Sequence, residues 1–542
     1  MLDIGYNKID KVYRVTITEV TFMGMYLNPG NNSFRRILKS DYIDKTGLIT
    51  LINNRVDTEH SLICVSRPRR FGKSYAARML CAYYDSSCDS HDLFNGSAVS
   101  DSEEYEDNIN KYNVIYLDMS NLLEKVKPEQ LTQFIKDSVE AEIFASYPTV
   151  EKGMSFDQTL LNTVEITNKK FFVIIDEWDA PIRETPQISI DYLKFLRMLF
   201  KGSITTDRIF AAAYMTGILP IKKDGSESAV SDFDEFSALE PGEFAEFTGF
   251  TENEVRDLCE EKHMNFDEIK RWYDGYSFGS EKSIYNPYSV MKAIGRKKVR
   301  SYWRKTSAAE ALITYVNLGG DELQEKIARL IAGEAVTVYT DDFENDFETF
   351  KSDDDVLTLL IHLGYLSYDE NTSLVKIPNA EVQSEFSRIL KNAKNKKLVE
   401  LVRKSEQLLN DTLAGNEKAV AEAIQKVRDL NYAPMYYNDE QALRYAVKFA
   451  YIVCEDRYTK IEELPSGRGV ADVVYLPNQG ERLPTLLIGL KWNKPEDDAI
   501  KQIRDKAYST VLENYTGKII YVGITYDEKT KLHTCKIETF TK

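Results

Sequence analysis

The chain has 542 residues, of which 43% are hydrophobic and 29% charged, and this balance is ordinary for a globular protein of roughly two to four domains. Its net charge of −17 argues against a general nucleic-acid coat, because such binding depends on Lys and Arg neutralising phosphates. No apolar run approaches the ~20 residues that cross a bilayer, so we expect no transmembrane helix and no membrane partner. The opening MLDIGYNKID carries acidic residues and no apolar core, so we expect no secretory signal there. Six scattered cysteines without Cys-x-x-Cys favour reduced thiols in the cytoplasm.

In chain order, residues 1–29 form a predicted N-terminal extension that contains a short β-like stretch. Four apolar runs separated by helical stretches follow, namely SLICV, YNVIYLDMS, KKFFVIIDEW and RIFAAAYMTG. Buried runs that alternate with helices are typical of a parallel sheet covered on both faces. The pattern therefore predicts a doubly wound α/β domain with a parallel sheet over residues 30–225.

The rest of the chain changes character twice. Residues 226–395 are more helical and polar, with short aromatic blocks, and the amphipathic residues 396–432 are predicted to form a helical bridge. Residues 433–542 return to strand patterns in GVADVVYLP, TLLIGLKW and KIIYVGITYD, with a helix in DDAIKQIRDKAY. This pattern predicts a second, small α/β domain.

The segment Arg67–Ser74, RPRRFGKS, lies between a predicted strand and a predicted helix. A P-loop wraps backbone N–H groups around phosphates, with its lysine at the β/γ positions and its Ser or Thr on Mg²⁺. Here Lys73 and Ser74 take those roles, and Arg67 stands in place of the usual first glycine. We expect the loop to bind nucleotide through residues listed in chain order: Arg69, Arg70, Phe71, Gly72, Lys73 and Ser74. The competing interpretation is a basic surface turn.

A second acidic feature follows about 100 residues later, where the apolar strand FFVIID ends in Asp176 and Glu177. Asp176 is predicted to hold Mg²⁺ and Glu177 to polarise the attacking water. Thr216, at the end of the fourth strand, either senses the γ-phosphate or caps the strand. Candidates for neutralising charge in the transition state are Arg69, Arg70, Arg183 and Arg208.

Several motifs recur in one order: DYIDKT, RPRRFGKS, LFNG, IIDEWDAPI, MTGI, GFTENEV, WYDGYSFG, YNPYSV, YWRKTS, LGYL and IPNAEV. Over residues 30–525 the chain resembles bacterial AAA-ATPase-like proteins that carry a C-terminal PD-(D/E)xK nuclease-superfamily domain. The resemblance implies that Arg67 is a family trait, that Lys73, Ser74, Asp176 and Glu177 form the ATP and Mg²⁺ site, and that the physiological role is tied to mobile elements or defence. For residues 226–395 the resemblance implies a helical, winged-helix-like lid region that contains WYDGYSFG and YNPYSV. The alternative is that these aromatic motifs only pack structurally.

The same resemblance implies a nuclease-like site in residues 433–542. Asp472 supplies a metal-binding carboxylate and Lys491 the motif lysine, but Gly489 occupies the position of the second acidic residue. Three interpretations stay open: a degenerate domain that binds or regulates, a variant lesion in an active enzyme, or a substitute carboxylate. Candidates for that carboxylate are Glu440, Glu462, Glu463 and Glu481. Gln502 either supports the site or is a solvated helix residue.

Lysines and arginines near this motif form either a basic face for DNA or RNA or a normal mixed-charge surface: Lys491, Lys494, Lys501, Arg504 and Lys506. The leading interpretation is an ATP-binding, ATP-hydrolysing protein that controls a nuclease-like module impaired by Gly489. The alternatives are an active Mg²⁺-dependent, nucleotide-gated nuclease and a nucleotide-binding scaffold without enzymatic activity. Relatives of this type make a homo-oligomer plausible.

Overall fold

The computed structural model describes residues 24–201, 204–221, 232–303, 321–341, 343, 352–391, 396–431, 437, 439–465, 470–478, 482–505 and 517–541. Most of the predicted N-terminal extension lies outside these ranges. The chain divides into two compact units. The first comprises the described residues of Met1–Ile63, Ser74–Thr216 and Ala229–Asp234, and the second those of Cys64–Lys73, Gly217–Ser228 and Glu235–Lys542.

The first sheet has five strands in the order β2-β3-β4-β1-β5. Their bounds are β1 Leu62–Ser66, β2 Asn113–Asp118, β3 Phe171–Asp176, β4 Phe210–Gly217 and β5 Asp234–Phe236. Strands β2, β3 and β4 pair in parallel, and every residue of β3 and β4 is buried. Strands buried on both faces need the continuous apolar runs seen in the sequence. The predicted parallel α/β fold is confirmed here.

Helices connect these strands because parallel neighbours require crossover connections. They are α1 Asn32–Ile37, α2 Gly47–Asn53, α3 Lys73–Tyr84, α4 His91–Phe94, α5 Tyr105–Asn108, α6 Met119–Lys125, α7 Leu131–Ser146, α8 Phe156–Thr167, α9 Ala180–Glu184, α10 Ser189–Phe200 and α11 Ile204–Ile209. Asp118 ends β2 and caps α6 by accepting from the Asn121 amide. Asn168 ends α8 in the left-handed conformation.

The middle of the second unit combines helices with two small sheets, ordered β6-β8-β7 and β10-β11-β9. The strands are β6 Phe250–Thr251, β7 Tyr276–Phe278, β8 Glu281–Tyr285, β9 Val336–Thr337, β10 Ser367–Asp369 and β11 Leu374–Lys376. The helices are α12 Glu252–Lys262, α13 Phe266–Tyr273, α14 Pro287–Arg296, α15 Asp321–Ile331, α16 Asp353–Leu363 and α17 Ala380–Lys391. Capping boxes at Thr251 and Ser352 fix the starts of α12 and α16.

The last part of the second unit contains a five-stranded sheet in the order β12-β13-β14-β15-β16. Its strands are β12 Tyr458–Pro465, β13 Val470–Pro477, β14 Thr485–Trp492, β15 Lys518–Asp527 and β16 Leu532–Thr541, and only the β14–β15 pair is parallel among the described strands of this sheet. The helices are α18 Lys396–Leu413, α19 Glu417–Asn431, α20 Glu440–Ala450, α21 Cys454–Arg457 and α22 Glu496–Asp505.

The helices of the predicted bridge share a core with this sheet. Leu408 of α18 and Ile424 of α19 belong to the same buried cluster as Ile488 of β14 and Val522 of β15. The six cysteines, all within the described ranges, are free thiols. Among the helices that the structure describes, none has the length and apolar character needed to traverse a bilayer.

Candidate functional site

The loop between β1 and α3 is closed by its own lysine. Lys73 is 6% exposed, and its Nζ donates to the carbonyl oxygens of Arg67 and Pro68, each at 3.0 Å. Gly72 has φ +90°, a conformation that glycine adopts at little cost, whereas a Cβ there would meet no atom within 4 Å. Gly72 is therefore required for backbone conformation, and it sets the turn that leads into α3.

Arg67, at the position of the missing glycine, is fully buried. Its NH1 donates to the carbonyl oxygens of Ser66 at 2.9 Å, Phe236 at 2.6 Å and Ser237 at 2.7 Å. The guanidinium thus holds the start of the loop against residues 236–237 and faces protein backbone. The only signal for this tether in the sequence was the replacement of glycine by arginine.

Two of the predicted nucleotide-binding side chains contact other residues of the second unit, to which the loop itself belongs. Arg70 has φ +74°, and its NH1 donates to the Tyr302 carbonyl at 3.1 Å. Phe71 is 1% exposed and packs among aromatic rings. Arg69 is half-buried, as is Ser74 in the first turn of α3. In Arg70 and Phe71 the donors suited to a phosphate are the backbone N–H groups, because both side chains contact other residues.

Polar residues line the carboxyl ends of the parallel strands in the first unit. Register places Asp118 of β2 opposite Asp176 of β3, and Asp176 opposite Thr216 of β4. Asp176 is 2% exposed and Thr216 fully buried. Trp178 N donates to Thr216 O at 3.0 Å, and Arg67 N donates to the next carbonyl, that of Gly217, also at 3.0 Å. The carbonyls at the end of β4 thus accept one hydrogen bond from Trp178, just beyond β3, and another from Arg67, just beyond β1.

Glu177 follows β3 in the left-handed conformation, with φ +53°, which turns its carboxylate out of the strand. The Ser120 hydroxyl donates to its Oε2 at 2.6 Å, and Arg183 NH2 lies 3.5 Å from the same oxygen. The Glu177 side chain is 33% exposed, so it is accessible to water while two groups orient it. Sequence reasoning missed Ser120, whose only signal was its place just beyond the end of β2.

The arginine candidates separate by position. Arg183 is 7% exposed and donates through Nε to Asp179 Oδ2 at 2.7 Å, beside Glu177. Arg208 pairs with Glu165 on an exposed surface, before the start of β4 and at the opposite end from Thr216. Within the first unit, Arg183 is the candidate at the carboxyl ends of the strands and Arg208 is not.

Oxygen ligands suited to Mg²⁺ are present at this edge, in Asp118, Asp176 and Thr216. Among the described residues, no group of three or more His, Cys, Asp or Glu side chains could hold a metal by itself. Mg²⁺ in nucleotide sites keeps waters and substrate phosphates beside one or two protein carboxylates, so a sparse ligand set fits it.

In the C-terminal sheet, the structure brings Lys491 and Glu440 together. Lys491 Nζ lies 4.0 Å from Glu440 Oε1, and the two side chains are 14% and 43% exposed. Glu440 is the first residue of α20, where the Asp439 side chain caps the helix. Gln502 lies half-buried on α22. Asp472 belongs to β13, but its side chain lies outside the described part, as do those of Glu462, Glu463, Glu481, Arg504 and Lys506.

Gly489 lies where α22 packs against the sheet. A Cβ at Gly489 would come within 2.9 Å of Ile503 Cγ1 and 3.2 Å of Ala499 O. Its register partner on β15 is Gly523, where a Cβ would come within 2.9 Å of Glu496 O. This pair of glycines lets α22 approach the sheet closely. Gly489 therefore has a packing role, because a larger residue there would require the Ile503 side chain and the nearby backbone of α22 to shift.

Residues 29–226 match the model of a family described as a predicted AAA-ATPase. These residues are an AAA-ATPase-like domain, and they make up less than half of the chain. No curated protein sequence matches the chain.

Among solved structures, the ORC2 protein of Aeropyrum pernix in ADPNP–ADP complexes is 12% identical, with 66% of this chain and 98% of that chain covered and a TM-score of 0.35. PCH-2 of C. elegans is 13% identical, with 51% and 62% covered and a TM-score of 0.22. The Aeropyrum pernix ORC1 protein in complex with DNA is 11% identical, with 64% and 94% covered and a TM-score of 0.25. Scores this low carry no argument about this chain.

Proposed function

We propose that residues 29–226 bind and hydrolyse ATP or a closely related nucleoside triphosphate. The observation that carries the proposal is the loop before α3, which turns at Gly72 and encloses the Lys73 amine. Phosphate oxygens would replace the Arg67 and Pro68 carbonyls as acceptors for Lys73, since a charged acceptor forms the stronger hydrogen bond.

The other roles follow from the chemistry of the side chains. Ser74 and Asp176 would hold Mg²⁺, which neutralises phosphate charge when bound. Glu177 orients the attacking water, and Ser120 positions Glu177 through its 2.6 Å hydrogen bond. Thr216 responds to the γ-phosphate, and Arg183 supplies positive charge beside Glu177.

The experiment compares Lys73→Ala with Lys194→Ala, whose side chain is 70% exposed on α10. Lys73→Ala should weaken binding of a fluorescent ATP analogue by about 10- to 100-fold, because a charge-assisted hydrogen bond contributes about 1.5–3 kcal/mol. Lys194→Ala should bind as the unaltered chain does. Equal ATPase activity in Lys73→Ala would refute the proposal. Tight binding without turnover in the unaltered chain would instead support a nucleotide-binding scaffold.

We further propose that the C-terminal part of the chain is a nuclease-like module under control of the nucleotide, in a cytoplasmic bacterial protein of the mobile-element or defence type that the sequence resembles. The proximity of Lys491 and Glu440 supports it, because a lysine beside a carboxylate suits the handling of phosphodiesters and Mg²⁺. Among the candidate carboxylates whose side chains the structure describes, Glu440 faces Lys491 and would act as the substitute, with Asp472 as the predicted metal ligand. Binding of DNA or RNA and self-assembly belong to the same proposal.

Cleavage of labelled DNA and RNA with Mg²⁺ or Mn²⁺, with and without ATP, tests this second function. Lys491→Ala should abolish any cleavage, whereas Lys529→Ala on the exposed turn after β15 should leave it unchanged. Binding of nucleic acid without cleavage by the unaltered chain would identify a degenerate module. Cleavage that persists in Lys491→Ala would show that this site is not responsible.

A further inference from the structure

The phosphate loop makes contacts that phosphate binding does not require. Its residues Cys64–Lys73 belong to the same compact unit as Glu235–Lys542, whereas Ser74 and most of the first sheet belong to the other unit. Four of its side chains, those of Arg67, Pro68, Arg70 and Phe71, meet residues between 236 and 364. We use the name socket for six of the residues that receive these side chains, namely Gly249, Tyr276, Phe278, Tyr302, Trp303 and Gly364.

Phe71 inserts into the socket through both its ring and its backbone. Its ring centroid lies 5.0 Å from that of Tyr276 and 5.7 Å from that of Phe278, in edge-to-face geometry. The Gly249 amide donates to the Phe71 carbonyl at 3.0 Å. Arg67 Cζ lies 5.1 Å from the Phe278 ring, so one aromatic side chain contacts two loop residues.

Pro68 meets the socket at Gly364, which ends α16 with φ +84°. A Cβ at Gly364 would lie 2.7 Å from Pro68 Cβ, so only glycine permits this approach. The Tyr276 hydroxyl donates to the Gly364 carbonyl at 2.8 Å. The residue against Phe71 and the residue against Pro68 are therefore joined directly.

Arg70 holds the third part of the socket. Its guanidinium carbon lies 4.5 Å from the Tyr288 ring centroid and 6.0 Å from that of Trp303, and its NH1 donates to Tyr302 O. The Tyr302 amide in turn donates to Glu381 Oε1 at 2.6 Å. Burial raises the pKa of the Glu381 carboxyl to about 7. Tyr302 thus links the loop to α17, because its carbonyl accepts from Arg70 and its amide donates to Glu381.

Lys73 connects these contacts to the phosphate site, because it donates to the carbonyls of Arg67 and Pro68, two of the residues seated in the socket. A ligand that draws the Lys73 amine away removes both hydrogen bonds. The loop backbone then changes at the residues whose side chains are fixed in the socket. A packed interface of this kind transmits a small shift because it cannot deform freely.

We propose that Arg67, Pro68, Arg70 and Phe71 couple occupancy of the phosphate site to the socket, so that the second unit changes its dynamics when nucleotide binds. This inference rests on the proposed function, since it requires that the loop bind nucleotide. It assigns the aromatic motifs WYDGYSFG and LGYL a function as the receiving surface of that signal. The RPRRF segment is then a signalling element as well as a phosphate cradle.

The test is hydrogen–deuterium exchange of the full chain, with and without a non-hydrolysable ATP analogue and Mg²⁺. Socket amides at 276–278, 302–303 and 364–366 should change their exchange rates at least about threefold when the analogue binds. Phe278→Leu removes the aromatic ring beside Phe71 and Arg67, and Glu381→Leu removes the acceptor of the Tyr302 amide. Both variants should retain analogue binding within about threefold and lose most of this response. Phe266→Leu is the matched control, because Phe266 lies under Arg256 at 4.0 Å in the same unit and contacts no loop residue among those described.

The outcomes separate the two proposals. Absence of analogue binding to the unaltered chain would overturn the proposed function and the coupling with it. Binding without any change at the socket would overturn the coupling alone. If Phe278→Leu fails to fold, Glu381→Leu decides, and a normal response in that variant would also overturn the coupling.

Discussion

The phosphate loop and the C-terminal sheet each depart from a sequence pattern at one residue, and they do so in opposite ways. At Arg67 a large charged side chain replaces a glycine, and backbone carbonyls at 236–241 satisfy it. At Gly489 a glycine stands where the nuclease motif that the sequence resembles has an acidic residue, and α22 packs closely against that position. The first departure adds an anchor while Lys73 and Gly72 stay in place. The second places close helix packing at the position where the resemblance predicts a carboxylate.

The contrast between Arg67 and Gly489 is tested most directly by Arg67→Gly, which places a glycine at the start of the loop. This change leaves the carbonyls of Phe236, Ser237 and Pro241 without their buried donor, and each such loss costs about 1–3 kcal/mol. We expect the free energy of unfolding of the second unit, which contains Arg67, to fall by at least about 3 kcal/mol, although the variant has the more usual P-loop sequence. Urea denaturation followed by tryptophan fluorescence measures it.

Arg69→Gly is the control, because Arg69 is half-buried in the same loop and carries the same charge. It should cost about 1 kcal/mol or less, mainly through backbone entropy. Equal stability of Arg67→Gly and Arg69→Gly would show that the carbonyl contacts of Arg67 are not an anchor, and the contrast drawn with Gly489 would fail.

Local patterns predicted the parts of this molecule whose residues are close in sequence. Strands β1 to β4 and the turn at Gly72 follow from apolar runs and from Gly-Lys-Ser. Strands β12 and β16 were not predicted, because they are the edges of the C-terminal sheet, and edge strands carry polar residues in place of an apolar run.

Contacts between distant residues were beyond the reach of the sequence. Arg67 meets Phe236 across 169 positions, and Ser120 meets Glu177 across 57. No spacing rule links such positions, since the fold alone brings them together. The packing of α22 on Gly489 and Gly523 is of the same kind. The sequence therefore showed a glycine at a position expected to be acidic, but it did not show the helix packing that accounts for the glycine.

Gly489→Glu tests the other side of the contrast between Arg67 and Gly489, and its expected effect on stability is smaller. If the acidic position were only vacant, the added carboxylate would be accepted and would restore metal-dependent cleavage. Since a Cβ there would meet Ile503 at 2.9 Å and the Ala499 carbonyl at 3.2 Å, we expect a loss of about 1–3 kcal/mol and no gain of cleavage. Gly295→Glu is the matched control, because Gly295 lies in α14 with no atom within 4 Å of its Cβ position, and glutamate favours helix there. Thermal unfolding and cleavage with Mg²⁺ measure both variants. A Gly489→Glu chain that is as stable as Gly295→Glu and cuts DNA or RNA would contradict the packing role of Gly489 and would make this residue the lesion in an otherwise intact nuclease site.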